Sequence, residues 1–182
     1  MPVIVYARHA ESTWNAAGRW QGQADPPLSA RGRAQAEALA GRLGGRGGIG
    51  LLATSPLARA RQTAEILGAR LGLEPRPVDA LKELDAGVWS GLTRAEVERR
   101  FPEELARFLS GDPEVCAGGG ESRSALAARV AGALRELFST ASGGDLAVVG
   151  HLGALRSLLP DARLDNADFL ELPAHCAAGD EA

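Results

Sequence analysis

An arginine and a histidine stand side by side at Arg8-His9, directly after the apolar run Val3 to Ala7. The run contains β-branched residues and no turn residue, which predicts a buried strand. An anion-binding cation and a nitrogen nucleophile thus leave the carboxyl end of a strand together, where open α/β sheets hold their ligands. A second apolar run, Leu146 to Gly150, ends in His151. If the two strands are neighbours, their histidines share one pocket, and this pairing is the central expectation.

Further side chains qualify by type. Arg59 lies one turn before Thr63 near the amino end of a helix, where the dipole opposes a cation. Its placement hints at a required anion, and an ordinary solvated arginine fits the spacing equally well. Glu83 follows an apolar pair, and partial burial there would suit acid catalysis. Composition alone favours an exposed glutamate. Trp14 and Trp20 serve either as anchors of the 18–28 loop or as walls of a pocket mouth. A zinc site built from His9, His151 and a carboxylate is the competing chemistry, but no close metal-ligand spacing supports it. The glycines of residues 44–48 match neither GxxxxGK nor GxGxxG.

The elements that must position these groups are readable in order. Ser29 caps a helix whose apolar face is Ala36, Leu39, Ala40 and Leu43, and the glycines from Gly44 onward end it. Ile49 to Ala53 forms a strand. Ser55 and Pro56 suit the N-cap and first position of the next helix, whose buried stripe is Ala60, Ala64, Leu67 and Leu71. Two prolines reduce Leu73 to Val78 to a connection with at most a short edge strand. Leu81 to Thr93 reads as a rim loop before a helix capped by Thr93 with Glu96 at N3. Pro102 begins a short helix with Phe101, Leu105, Phe108 and Leu109 on its apolar side. Ser122 or Ser124 caps a longer one with the stripe Leu126, Val130, Ala133, Leu134 and Leu137. Another helix starts near Leu152 and stops by Pro160, and Leu164 to Leu172 alternates as a final strand. The alternation of strands and helices predicts one α/β domain over residues 1–172. Residues 173–182 then form a fraying tail in which His175 and Cys176 are incidental.

Composition narrows the function classes. The 182 residues are 45% hydrophobic, ample for one core, and with only 4 Phe, 3 Trp and 1 Tyr that core relies on leucine, valine and alanine. Twenty basic and 23 acidic side chains give a net charge of -3 without a like-charge block. This pattern argues against a nucleic-acid partner or a polybasic membrane anchor and leaves small molecules as partners. Cys116 and Cys176 are isolated, as expected in a reducing compartment. No apolar run approaches the roughly 20 residues of a membrane span, so a soluble cytoplasmic protein is expected. Monomer and homodimer are equally compatible with the sequence.

Taken together, Arg8-His9-Ala10-Glu11-Ser12-Thr13-Trp14-Asn15, Ser55-Pro56 followed by Arg59 and Thr63, Glu83 before Gly87-Val88-Trp89-Ser90-Gly91, Gly119-Gly120-Glu121-Ser122 and Gly150-His151 resemble the histidine phosphatase, or phosphoglycerate mutase-like, superfamily. The ordered set extends from residue 3 to about residue 172. The resemblance implies a three-layer α/β/α sandwich with a mainly parallel central sheet. It implies a small phosphomonoester substrate, no cofactor and no metal. His9 takes the place of the nucleophile that becomes phosphohistidine. Arg8, Arg59 and His151 correspond to the phosphate pocket, Glu83 to the general acid and base, and Asn15 to a position near the phosphate. These residue types suit the chemistry. Planar guanidinium groups give a phosphate dianion paired, charge-assisted hydrogen bonds, and stabilising the transferring phosphoryl group is the main catalytic contribution.

Two departures from the family pattern stand out. Family members often carry glycine after each catalytic histidine, where this chain has Ala10 and Leu152. Leucine would be strained there if its φ were positive. The chain is also short after His151, and a shorter cover admits water to a phosphohistidine, favouring hydrolysis over mutase chemistry. A phosphoglycerate mutase-type transfer and a low-activity phosphate-binding homologue are the alternatives. Trp20, Trp89, Phe101, Phe108, Leu109 and the loop around Cys116 are candidates for a partly apolar leaving-group wall.

Overall fold

Five strands form one sheet in the order β3-β2-β4-β1-β5. They are β1 (Ile4–Arg8), β2 (Ile49–Thr54), β3 (Arg76–Pro77), β4 (Asp145–Gly150) and β5 (Phe169–Leu172). The computed structural model describes residues 2–141 and 143–172. Strands β1, β2, β3 and β4 run parallel to their partners, and β5 closes the edge antiparallel to β1. The tail from Pro173, with His175 and Cys176, lies outside the described residues.

The sheet is buried on both faces, and its strands accordingly read as continuous apolar runs. Side chains alternate across β1: Ile4 and Tyr6 enter one apolar cluster, Val5 and Ala7 the other. On the first face lies α6 (Arg123–Thr140), capped by Ser122 and burying Leu126, Val130, Ala133, Leu134 and Leu137, with α7 (Leu152–Leu158) beside it. Each fully buried leucine or valine of that stripe contributes about 1.5–3 kcal/mol. On the opposite face lie α2 (Ala30–Arg46) and α3 (Ala58–Leu71). The result is a three-layer α/β/α sandwich with a mainly parallel sheet. A short α1 (Thr13–Ala16) follows β1, and α4 (Arg94–Arg100) and α5 (Pro102–Leu109) stand between β3 and α6.

Several boundaries differ from the sequence reading, each for a physical reason. Helix α2 passes through Gly44 and Gly45 to Arg46, because Arg46 pairs with Asp145 at 2.7 Å and Glu171 at 2.6 Å and pins the last turn to the sheet. Ser55 and Pro56 do not open α3. Ser55 is drawn into the sheet, its N–H donating to Val149 C=O at 3.0 Å. The helix begins at Ala58, whose N–H is capped by the Asp25 carboxylate from the 18–28 loop. Leu109, placed on the apolar side of α5, is 52% exposed. The final strand is shorter than Leu164 to Leu172, because Ala167 takes a φ of 57° and turns the chain before β5 begins. That turn is bound to the site described next.

Candidate active site

Parallel pairing of β1 with β4 puts Arg8 opposite Gly150, so His9 and His151 leave adjacent strands at the same edge. Their ring centroids lie 5.2 Å apart, and both side chains are buried. Tyr6 secures the second histidine from below. Its hydroxyl donates to the His151 carbonyl at 3.0 Å and accepts the His151 N–H at 3.1 Å. Gly150 must lack a side chain for this clasp, since a Cβ there would sit 2.2 Å from the Tyr6 hydroxyl oxygen.

His9 is fixed in one tautomer. Its Nδ1 lies 2.7 Å from the Ala10 carbonyl, which can only accept, so Nδ1 carries the proton and Nε2 holds the free lone pair. Burial, followed by the charge of Arg59, holds the His9 pKa well below 6.5, so the ring is neutral at neutral pH. His151 is lowered by the same leading causes, burial and then Arg59. The backbone of His9 is gripped by the turn before β5, where Asn166 Nδ2 donates to the His9 carbonyl at 3.0 Å and the Ala167 N–H does so at 3.3 Å.

The other residues expected to belong together line one cavity of about 420 Å³: Arg8, His9, Asn15, Arg59 and Glu83. His151 stands beside His9, fully buried, and is not among the lining residues. Arg59, poised between two readings in the sequence, is buried. Its terminal nitrogens donate to the carbonyls of Ala24 and Gly22, both at 2.8 Å. Burial pushes its pKa down to about 10, which leaves it charged at neutral pH. Arg8 donates to Leu164 C=O at 2.9 Å and is likewise lowered by burial. The Nε atoms of Arg8 and Arg59 and both ring nitrogens of His151 are buried without a protein partner. With His151 neutral, each of these three side chains keeps one N–H donor unspent, which suits an anion with several oxygens. Asn15 Oδ1 accepts the Ser12 N–H at 3.0 Å, so its amide NH2 is the end left for a ligand.

Glu83 is half-buried. Its Oε1 accepts the Leu84 N–H at 2.7 Å and its Oε2 accepts the Gly153 N–H at 3.0 Å. A Cβ at Gly153 would lie 2.4 Å from Oε1, so any larger residue would push the carboxylate from this place. The backbone of Glu83 is held from behind by Arg129 Nη2 at 2.9 Å, while Arg129 also pairs with Glu121. Ala10 and Leu152 are unstrained, because Ala167 is the one non-glycine residue with positive φ among the described residues. Thr63 accepts the Ala10 N–H at 3.1 Å and donates to Arg59 C=O at 2.7 Å, which links α3 to the His9 loop.

The sequence reading missed much of the cavity's upper wall. Arg19, Arg94, Arg123 and Arg156 join Arg8 and Arg59, so among the described residues six arginines and a single carboxylate, Glu83, line it. Their scattered positions gave no signal in one dimension. Of the proposed apolar wall, Trp20 and Phe108 line the cavity. Trp89 is buried in the core, Phe101 packs against that core, and Cys116 is exposed elsewhere. Among the described residues, no group of three or more His, Cys, Asp and Glu could hold a metal ion. No helix among them is long and apolar enough to cross a membrane.

The sequence profile of the histidine phosphatase superfamily (branch 1) matches residues 4–178. Phosphoserine phosphatase 1 of Hydrogenobacter thermophilus is 37% identical over 158 residues, covering 87% of this chain and 74% of its own. A glucosyl-3-phosphoglycerate phosphatase of Mycobacterium tuberculosis is 34% identical over 198 residues, covering 98% of this chain and 88% of its own. The solved structure of a mycobacterial glucosyl-3-phosphoglycerate phosphatase with VO3 superposes with a TM-score of 0.80 at 33% identity, covering 98% of this chain and 87% of that one.

Proposed function

Because the chain belongs to the histidine phosphatase superfamily (branch 1) and is one of its metal-independent phosphoric monoester hydrolases, we propose that His9 and Glu83 divide the chemistry between them on a small phosphorylated metabolite. The observation that carries this reading is the His9 tautomer: Nδ1–H is held by the Ala10 carbonyl, and the unprotonated Nε2 belongs to a cavity lined by the buried Arg59, the half-buried Arg8 and the Glu83 carboxyl group.

In the first step Nε2 of His9 attacks phosphorus in line, the P–O bond to the leaving group breaks, and Glu83 gives that oxygen a proton. Water then attacks phosphorus and the P–N bond to His9 breaks, while Glu83 takes a proton from that water and inorganic phosphate leaves. Arg8 and Arg59 neutralise the equatorial oxygens throughout. His151, neutral in the free enzyme, donates one ring N–H, and Asn15 donates its amide. All of these groups come from one chain, so a monomer carries the whole site.

The test is phosphate release from a diverse panel of phosphomonoesters in the presence of a chelator, with His9→Ala as the paired control. Activity is expected to fall by about 10⁴-fold or more in the variant, as for loss of a nucleophile elsewhere. A phosphoryl group on His9 is expected after quenching into alkali, and it should be lost in acid. Equal rates in parent and variant would sink the assignment. Product isomers exceeding free phosphate would replace hydrolysis with transfer.

A further inference from the structure

Glu83 reaches the cavity from a loop, whereas His9 and His151 follow strand ends and Arg59 lies on a helix. A proton donor carried by a loop has to be held from outside that loop if it is to meet a leaving oxygen within hydrogen-bond reach. The segment Gly119-Gly120-Glu121-Ser122, which has no part in the chemistry above, supplies one side of that hold, and Arg129 of α6 supplies the other.

One guanidinium is fully engaged here. Arg129 Nη1 donates to the carbonyls of Ala80 at 2.9 Å and Lys82 at 2.7 Å, and Nη2 donates to the Glu83 carbonyl at 2.9 Å. The remaining edge meets Glu121 at two points, Nε to Oε1 and Nη2 to Oε2, both at 2.7 Å. These bonds use all five N–H groups of the arginine, so none is left for a ligand, and Arg129 is not among the residues that line the cavity. A lysine carries its donors on a single nitrogen and cannot span the same acceptors.

Glu121 completes the bracket. Its N–H donates to the Asp85 carbonyl at 2.9 Å, and its Oε2 accepts the Asp85 N–H at 3.4 Å. The two backbones lie so close that a Cβ on Gly120 would stand 2.1 Å from the Asp85 carbonyl oxygen. The carbonyls of Ala80, Lys82 and Glu83 and the backbone of Asp85 are thereby bound to one ion pair at the start of α6. Both its side chains are partly buried, which spares the pair much of the screening that weakens surface pairs.

We infer that Arg129, oriented by Glu121, is a positioning residue for Glu83: it fixes the loop so that the carboxyl group meets the leaving oxygen of the ester. This role rests on the reading of Glu83 as general acid and base given above. The carboxylate also has a gauge of its own. The Gly153 N–H stands in the first turn of α7, where a helix offers its N–H groups no partner, and it donates to Glu83 Oε2 at 3.0 Å. Its exchange with solvent therefore reports where that carboxylate lies, whether or not the enzyme turns over.

Two esters separate positioning from general damage. Glycerol 3-phosphate must have its alkoxide protonated as it leaves, whereas para-nitrophenyl phosphate releases a phenolate that needs no proton. Steady-state kcat and KM are measured on both for the parent, Arg129→Lys, Glu121→Gln, Glu83→Gln and the combination of Arg129→Lys with Glu83→Gln. Exchange of the Gly153 and Val130 amides is followed by NMR. In Arg129→Lys, kcat on glycerol 3-phosphate is expected to fall by about 10- to 100-fold, the scale of a reacting group misplaced by about 1 Å, with KM little changed. The para-nitrophenyl ester should lose less than about threefold, since it does not draw on the acid. Glu121→Gln shifts the same quantities in the same direction by a smaller factor, and it serves in place of the lysine variant if that one does not fold. The Gly153 amide exchanges about tenfold faster or more in Arg129→Lys, while the amide of Val130, buried in α6, keeps its protection. In the Glu83→Gln background Arg129→Lys lowers kcat no further, because it acts through Glu83. With Glu83→Gln separating the two esters, equal losses on both in Arg129→Lys, no loss on either, or an undiminished loss in the Glu83→Gln background overturns the inference. An unaltered Gly153 amide overturns it in every case. If Glu83→Gln treats the two esters alike, or the parent hydrolyses neither, while the Gly153 amide still exchanges faster in Arg129→Lys, the hold on Glu83 stands and the general-acid reading falls.

Discussion

The floor and the far wall of the cavity are both built from arginines, yet they are built differently. On the floor, Arg59 is buried and tied to two backbone carbonyls, His9 is held at both its ring and its carbonyl, and His151 is clasped by Tyr6. At the wall, Arg94 and Arg156 are exposed and Arg123 is half-buried; Arg94 and Arg123 open their helices, Arg156 lies in the last turn of α7, and none has a carboxylate partner among the described residues. The floor fixes atoms to within hydrogen-bond tolerance, which in-line phosphoryl transfer requires. The wall needs only to present charge over a wider space. The floor is thus built from strand ends and buried backbone contacts, while the wall is built from side chains replaceable without disturbing the core.

The strongest challenge to this contrast is Arg59→Ala. It removes a floor cation and leaves the Gly22 and Ala24 carbonyls without their donor. A fall of about 10²- to 10³-fold in kcat is expected from steady-state phosphate release, the cost typical of one lost transition-state donor. A loss confined to KM would mean that the floor merely binds. Next in size is Gly153→Ala, whose new Cβ would displace the Glu83 carboxylate. A drop of up to about 10²-fold in kcat is expected, with KM little changed, since misplacing a reacting group by about 1 Å has effects of this order. An unaltered kcat would show that Glu83 need not occupy its observed place.

Stability should report the floor as well. His9 and His151 are kept neutral in the fold with pKa values below the ordinary 6.5, so the unfolded chain binds their protons first as pH falls. Their contribution is intact above about pH 6.5 and is lost progressively below it, by up to about 1.4 kcal/mol per pH unit for each histidine. Urea melts at stepped pH measure this directly. Inorganic phosphate supplies the missing negative charge and should raise Tm, by the equivalent of about 2.7 kcal/mol at a hundredfold excess over Kd. That upshift is expected to disappear in Arg59→Ala and to persist in Arg123→Gln. The smallest effect belongs to Arg94→Gln on the exposed rim, where a change of less than about threefold in KM is expected because an exposed, solvated charge is worth little.

Much of this architecture was legible in the sequence, for reasons that also explain the failures. The apolar runs ending in His9 and His151 were readable because strands buried on both faces carry uninterrupted hydrophobic stretches. The stripe of α6 and the Thr93–Glu96 capping box were local, and both appear as read. Properties set by distant partners were not legible. Asp25 caps α3 from a loop 33 residues away, and Arg46 carries α2 across two glycines through Asp145 and Glu171. The same holds for the cavity. Arg8 and His9 announce themselves as neighbours, but Arg123 and Arg156 meet only because α6 and α7 pack on one face of the sheet. Nothing in the order of residues marks Gly153 as the space Glu83 occupies.

The whole chain carries a net charge of -3, but among the described residues its cavity wall holds six arginines and one carboxylate. A dianionic ester is drawn toward the cavity by a local positive field that the net charge of the chain does not reveal. Capture should therefore slow as ionic strength rises and the field is screened beyond about 8–10 Å, while uncharged solutes arrive at a rate indifferent to salt. The arginines that line the cavity thus act before contact, by setting how often an anion reaches it.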